Sequence, residues 1–123
     1  MKIHASGEDY LEAILVFKTE KGMVRSVDVA RYVGVSKPSV CHAVNVLCDG
    51  GFLTKDDKHF ISLTEEGRKV AEKIYERHKF FKEQLISAGV RPNIAETEAC
   101  RIEHCISDES FLKLKEYREK GKG

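Results

Sequence analysis

Residues 26–51, SVDVARYVGVSKPSVCHAVNVLCDGG, constrain the fold more than any other part of the chain. Ser26 can cap a short first helix, and Gly34 supplies the turn that ends it. Ser36 can cap a second helix that has Pro38 in its first turn and runs almost to the glycine pair. Two short helices joined by a tight glycine-containing turn predict a helix-turn-helix.

The second helix of this motif has one apolar and one polar face. Val40, Val44 and Leu47 recur at helical spacing and are predicted to pack inward. The opposite face carries side chains that donate hydrogen bonds and are short enough to reach base edges and phosphates in a major groove. The predicted DNA contacts on this face are Lys37, Ser39, His42 and Asn45.

The segment that follows, FLTKDDKHFISLT, contains two β-prone runs around a polar turn and predicts a hairpin. A hairpin directly after a helix-turn-helix is interpreted as a wing. Lys55, Lys58 and His59 lie near its tip, where they can contact phosphates, although two aspartates dilute the positive charge.

Further helices are predicted from capping residues and apolar periodicity. They begin near Ser6, Thr64, Asn93 and Ser107. The one after Thr64 is long, and its apolar face includes His78. The fold class is therefore mainly α with one small β-hairpin.

The stretch EACRIEHC brings three different metal-capable groups together. On a helix, Cys100, Glu103 and His104 stand at i, i+3 and i+4, so their side chains lie on one face and suit a single ion. The alternative is a buried thiol beside a solvated Glu–His pair. The three residues alone leave both interpretations open.

Other metal-capable residues lie on other predicted helices. His78 is either a core histidine bonded to a backbone carbonyl or a ligand, and the neighbouring Cys–Glu–His set favours a ligand. Asp9 and Glu12, one turn apart, either face a partly buried site or complement the macrodipole of the first helix. Glu96 is interpreted as half of a capping box, with an outer metal ligand as the alternative.

Composition excludes several classes of protein. The net charge is only +1, so any nucleic-acid contact must come from a local patch. The four cysteines have no CxxC spacing, which argues against a zinc ribbon and favours reduced thiols. Neither a signal peptide nor a long apolar run is evident, so we expect a soluble cytoplasmic protein. No glycine-rich phosphate loop or HExxH motif supports an enzyme.

Five segments in order, EDYLEAI, KPSVCHAVNVL, LTEEGRKVA, ERHKFF and EACRIEHCISDE, resemble the diphtheria toxin repressor and manganese transport regulator family. The resemblance covers nearly everything from Glu8 to Tyr117. It implies a winged helix-turn-helix followed by a helical dimerisation and metal-binding region. It also implies homodimers that bind palindromic operators when a divalent metal is bound. Many members add an SH3-like domain, for which we expect no room here.

The resemblance also implies a ligand set. Asp9 and Glu12 match the first-helix carboxylates of the manganese branch. His78, Glu103 and His104 match ligands shared by both branches. Cys100 stands where the best-known manganese regulators have glutamate and the iron repressors have cysteine, so the predicted metal site, consisting of Asp9, Glu12, His78, Cys100, Glu103 and His104, is a hybrid.

Two further correspondences concern DNA and a second metal site. Ser36 and Pro38 match base-contacting positions of the iron branch, whereas His42 replaces a glutamine, which leaves the operator preference open. Glu96 and Lys82 replace a histidine and a glutamate of the iron branch's ancillary site, so that site is doubtful in this chain.

The sequence thus predicts a DNA-binding domain at 1–63 and a helical dimerisation and metal-binding domain at 64–123. We expect a metal-dependent repressor of metal homeostasis genes that senses Mn²⁺ or Fe²⁺, with Zn²⁺ or Co²⁺ as other candidates. Expected partners are double-stranded operator DNA and a second copy of the chain, packed around Cys105, Ile106, Phe111 and Leu114, with no membrane and no small-molecule substrate. The alternative is a winged-helix regulator that metal does not gate.

Overall fold

The computed structural model describes the backbone of residues 5–121 and the side chains of residues 7–121. This part of the chain contains six helices and one two-stranded hairpin, which confirms the predicted fold class. In chain order they are α1 (Ala5–Lys21), α2 (Ser26–Val33), α3 (Lys37–Asp49), β1 (Leu53–Lys55), β2 (Ile61–Leu63), α4 (Glu65–Ser87), α5 (Pro92–Ile102) and α6 (Asp108–Gly121).

The chain divides into two compact units, residues 1–75 and 76–123, and the division falls within α4. The predicted domain boundary at residue 64 coincides instead with the start of α4, and it stays a prediction. No helix within residues 5–121 is long and apolar enough to cross a bilayer.

The first unit is built around the predicted helix-turn-helix and wing. Gly34 ends α2 in the left-handed conformation (φ +80°), which glycine adopts without a steric penalty. Ser36 caps α3 by accepting a hydrogen bond from the Ser39 N–H at 3.3 Å. The strands pair antiparallel with Thr54 opposite Ser62. The buried apolar residues of this unit include Leu11, Ile14, Val24, Val29, Val40, Val44, Leu47, Leu53 and Ile61.

The second unit has an aromatic core. The Phe80 ring packs edge-on against both Phe81 (centroids 5.2 Å apart) and Phe111 (5.4 Å). Because Phe111 is buried inside its own unit, the prediction that it lies in a dimer interface is wrong. Leu112 and Leu114, by contrast, are more than 40% exposed on α6.

Besides Ser36, two further predicted helix caps are confirmed, and those at Ser26 and Asn93 are wrong. Thr64 and Ser107 accept hydrogen bonds from the N–H groups of residues 67 and 110. Ser26 and Asn93 instead lie inside α2 and α5, whose N-caps are Arg25 and Arg91. For α2 the reason is local, since the Asp28 carboxylate already accepts from the Arg25 N–H.

The first helix already includes Ala5, so Ser6 does not precede it as predicted. The Ser6 side chain lies outside the described residues.

Candidate metal centre and nucleic-acid interface

The outer face of α3 is the first candidate surface. All the predicted DNA-contacting residues of this helix and its cap are exposed: Ser36, Lys37, Pro38, Ser39, His42 and Asn45. The inward-facing Val40 and Val44 are completely buried. Helical periodicity therefore separated the two faces of α3 as predicted.

The wing tip next to this face is an ordered turn. The Asp56 carboxylate accepts hydrogen bonds from the Lys58 and Phe60 N–H groups, both at 2.9 Å. His59 has a φ of +69°, which is uncommon for a residue other than glycine. Lys55 and Lys58 are exposed, so their side chains are available to a phosphate backbone.

A basic cleft of ≈ 700 Å³ lies between the start of α2, α3 and the wing. Its lining includes Arg25, Lys37, Lys55 and Lys58, together with His59. Sequence reasoning missed Arg25, whose guanidinium lies 4.3 Å from the centroid of the Phe60 ring. A single arginine before a predicted helix carries no distinctive signal. Only the contact between Arg25 and Phe60 of the hairpin brings Arg25 beside Lys37, Lys55 and Lys58.

A buried carboxylate forms the centre of the metal-capable cluster in the second unit. Glu103 is completely buried, and its Oε2 lies 2.9 Å from His78 Nδ1. Its Oε1 lies 3.3 Å from His104 Nε2, on a ring that is only 8% exposed. The structure thus brings together two imidazoles and one carboxylate that the sequence singled out.

Cys100 lies in the same cluster. Its Sγ, a Glu103 carboxylate oxygen and a His104 ring nitrogen are all within 4.8 Å of one another. The sequence predicts all three residues on one helix, but α5 ends at Ile102. Glu103 and His104 therefore lie in the turn that follows, and that part of the prediction is wrong.

Arg77 explains why the helix stops there. This almost fully buried guanidinium donates to the backbone carbonyls of Glu103 (3.3 Å) and Ile106 (2.6 Å), and it pairs with the Asp108 carboxylate. These bonds satisfy the carbonyl of Glu103, the C-cap of α5, and they hold the Glu103–Ile106 turn. Sequence reasoning missed Arg77, and its position directly before His78 was the only available signal.

Glu96 does not cap α5. Its Oε1 lies 2.9 Å from His78 Nε2, and its Oε2 lies 2.8 Å from Lys82 Nζ. The hydrogen bond from Lys82, assisted by His78, holds the pKa of the Glu96 carboxyl below its usual value. Lys82 and Glu96 thus form an ion pair where the resemblance located the doubtful ancillary metal site.

Asp9 and Glu12 lie on α1, in the first unit. Both are half-buried, and one helical turn separates them. They belong to a different unit from His78, Cys100, Glu103 and His104.

The donor set of the second unit suits a divalent transition metal. Thiolate, imidazole and carboxylate are the side chains that bind Fe²⁺, Co²⁺ and Zn²⁺, and the carboxylate also suits Mn²⁺. A carboxylate as buried as that of Glu103 is costly to ionise unless positive charge or hydrogen-bond donors compensate it. A cation held beside the two imidazoles would supply that charge. The residues present therefore fit a metal ion.

Comparison with known proteins identifies two domains in the chain. Residues 2–59 match the family described as "iron dependent repressor, N-terminal DNA binding domain". Residues 64–122 match "iron dependent repressor, metal binding and dimerisation domain". Both descriptions are of regulators rather than enzymes, in agreement with the prediction of no enzymatic activity.

Individual relatives agree with the family models. The transcriptional regulator MntR of Salmonella typhimurium is 37% identical over 104 residues, which are 85% of this chain and 66% of that protein. An uncharacterised HTH-type transcriptional regulator of Methanocaldococcus jannaschii is 33% identical over 117 residues, 94% of each chain.

Two solved structures have the same fold. The manganese regulator SloR superposes with a TM-score of 0.83 at 24% identity, over 92% of this chain and 53% of that one. IdeR of T. acidophilum gives a TM-score of 0.78 at 26% identity, over 97% and 55%. The chain thus spans just under two thirds of the Salmonella regulator and about half of these solved chains. With both halves matched by its domain models, the chain belongs to the iron-dependent repressor family, that of the diphtheria toxin repressor and the manganese transport regulators.

Proposed function

We propose that the chain is a metal-dependent transcriptional repressor that binds double-stranded operator DNA as a homodimer when Mn²⁺ or Fe²⁺ is bound. The observation that carries the proposal is the buried Glu103 carboxylate, with a His78 nitrogen against one oxygen and a His104 nitrogen against the other. The same chain presents an exposed polar helix of a helix-turn-helix. We further propose that it acts in the cytoplasm on genes of metal homeostasis, in keeping with its similarity in fold to the manganese regulator SloR.

The proposed ligands are the six residues that the resemblance implied. His78, Cys100, Glu103 and His104 are supported by their proximity within the second unit. Asp9 and Glu12 are proposed on the sequence resemblance and on their spacing along α1. Together they offer carboxylate oxygens that suit Mn²⁺ and a thiolate that suits Fe²⁺, Co²⁺ or Zn²⁺.

Because the proposed ligands belong to two units, metal binding can change DNA binding. If residues of both units are needed to complete the coordination, metal binding favours the arrangement in which all of them reach the ion. An ion shifts that equilibrium only by its different affinity for the two arrangements. In a dimer, the favoured arrangement would present two recognition helices one DNA turn, or a multiple of it, apart.

The proposed DNA-binding domain comprises residues 1–63, and the dimerisation and metal-binding domain residues 64–123. In the DNA-binding domain, α3 would enter the major groove, and the basic cleft beside it would receive the phosphate backbone. The proposed contacts are Ser36, Lys37, Pro38, Ser39, His42, Asn45, Lys55 and Lys58, to which the cleft adds Arg25.

A dimer is supported by exposed apolar side chains of the second unit. Ile102, Cys105 and Ile106 line a shallow pocket after α5, and Leu112 and Leu114 are exposed on α6. A closed two-fold dimer is the commonest way to bury such a surface. Sedimentation that finds only monomer at micromolar concentration, with and without metal, would refute the dimer.

The decisive experiment is a DNA-binding titration. An operator is first selected from a random duplex library with Mn²⁺ present. Its binding is then measured with Mn²⁺, anaerobic Fe²⁺, Co²⁺ and Zn²⁺ and with a chelator. We expect tight binding with Mn²⁺ or Fe²⁺ and a large loss of affinity in the chelator.

The alternative, a winged-helix regulator that metal does not gate, uses the same DNA-facing residues. It predicts the same operator affinity with the chelator as with the metals. That result, obtained with protein that binds the selected duplex, would refute the metal-dependent proposal.

A further inference from the structure

Glu96 connects a candidate metal ligand to a lysine. One carboxylate oxygen lies 2.9 Å from His78 Nε2, and the other lies 2.8 Å from the Lys82 ammonium. All three residues belong to the second unit. On its other side, His78 presents Nδ1 to the buried Glu103 carboxylate at 2.9 Å.

Both ring nitrogens of His78 face a carboxylate oxygen at 2.9 Å, so the nitrogen that carries the proton depends on what Glu103 binds. An ionised carboxylate only accepts hydrogen bonds, and a neutral imidazole carries one N–H and one lone pair. With Glu96 accepting from Nε2–H, the lone pair of a neutral His78 is on Nδ1. That lone pair and the Glu103 oxygen, 2.9 Å apart, can then both bind one cation.

We propose that Glu96 is a positioning residue that holds His78 as the Nε2–H tautomer, so that Nδ1 is the atom that binds the metal. An outer carboxylate that accepts from the second nitrogen of a ligating histidine orients the ring and increases its basicity. The inference rests on the proposed metal-dependent function, and it assigns Glu96 a role other than capping or direct ligation.

Lys82 keeps Glu96 in this outer role. Its ammonium occupies the second carboxylate oxygen, so a further cation beside Glu96 would be placed next to a positive charge. Repulsion between like charges at short range disfavours that arrangement. The Lys82–Glu96 pair therefore leaves the Nδ1 side of His78 as the metal-binding side.

The test uses two substitutions that remove the same charge. Glu96→Ala removes the hydrogen-bond acceptor, whereas Glu96→Gln keeps an amide oxygen that can still accept from Nε2–H. Glu98→Ala removes an acid from an exposed position on the same helix and serves as the control. Mn²⁺ affinity of the full chain is measured from the EPR signal of the free ion.

We expect Glu96→Ala to bind Mn²⁺ roughly 10- to 100-fold more weakly than the wild type, the usual loss for an outer partner of a ligating histidine. Glu96→Gln should retain most of the affinity, and Glu98→Ala should match the wild type. Equal losses in the Ala and Gln variants of Glu96 would show that only its charge matters and would overturn the inference.

NMR of ¹⁵N-histidine-labelled protein loaded with ¹¹³Cd²⁺ shows directly which nitrogen of His78 binds the metal, which affinity alone does not show. We expect a one-bond ¹¹³Cd–¹⁵N coupling at His78 Nδ1 and a proton on Nε2. Coupling at Nε2 would overturn the inference while leaving the proposed function intact. A wild-type chain that binds neither Mn²⁺ nor Cd²⁺ would overturn both.

Discussion

One methyl group added at Gly67 should disturb the first unit. Gly67 is buried in the first turn of α4. A Cβ there would lie 2.0 Å from the Phe52 carbonyl oxygen and 3.0 Å from the Phe52 carbonyl carbon. Phe52 connects the end of α3 to β1, and its carbonyl accepts the Thr64 N–H at 3.1 Å. Gly67→Ala therefore acts on the backbone that connects α3 to β1.

The expected cost follows from this geometry. Moving the Cβ and the oxygen from 2.0 Å to even 3.0 Å apart requires a 1.0 Å shift of backbone that cannot rotate away. Such overpacking costs about 3 kcal/mol at the upper end of its usual range. Losing the Phe52–Thr64 hydrogen bond adds about 1 kcal/mol. The better helix propensity of alanine offsets about 1 kcal/mol of this cost. We therefore expect the free energy of unfolding to fall by about 3 kcal/mol.

Urea unfolding of the metal-free chain at one fixed protein concentration measures this loss. Gly121→Ala is the control, because its Cβ would have no atom within 4 Å. The control should stay within about 0.5 kcal/mol of the wild type, as surface substitutions usually do. A Gly67→Ala chain as stable as the wild type would refute the reasoning, because it would mean that the Phe52 backbone can move without cost.

Three further results are expected. Replacing Cys100 with Glu should weaken Co²⁺ and Zn²⁺ binding relative to Mn²⁺ binding. It should also abolish the thiolate charge-transfer band of the Co²⁺ complex. The same order of metal affinities in both proteins would contradict ligation by the thiol. His42→Ala should change the base preference of DNA binding at a cost of ~1–3 kcal/mol per lost contact. Lys37→Ala should weaken binding to all duplexes and reduce the salt dependence of binding. Binding isotherms at several salt concentrations would test both. Burial raises the pKa of the Cys48 thiol. The rate of Cys48 alkylation should therefore increase with pH at a higher midpoint in the folded chain than in the urea-unfolded chain, where an ordinary thiol has a pKa of about 8.5. Equal midpoints in the folded and unfolded chains would contradict this.

Local patterns predicted the elements better than they predicted the caps. The apolar spacing of α3 and the polar turn of the wing depend on neighbours a few residues apart, and both are as predicted. The caps of α2 and α5 were wrong because several nearby residues can satisfy the first N–H groups of a helix. Glu96 illustrates the difficulty, since its spacing suits a capping box while its carboxylate contacts His78 on another helix.

The sequence by itself determined which residue types are available and, for α3, which residues share a face, because helical periodicity depends only on the chain. It also singled out His78, Cys100, Glu103 and His104, although Glu103 and His104 lie in the turn after α5 and not on the helix where they were predicted. Only the tertiary structure decided that Glu103 is buried between two imidazoles in a turn held by Arg77, whose guanidinium comes from 26 residues away. Contacts over such separations depend on how whole helices pack, and no local spacing in the chain encodes that packing.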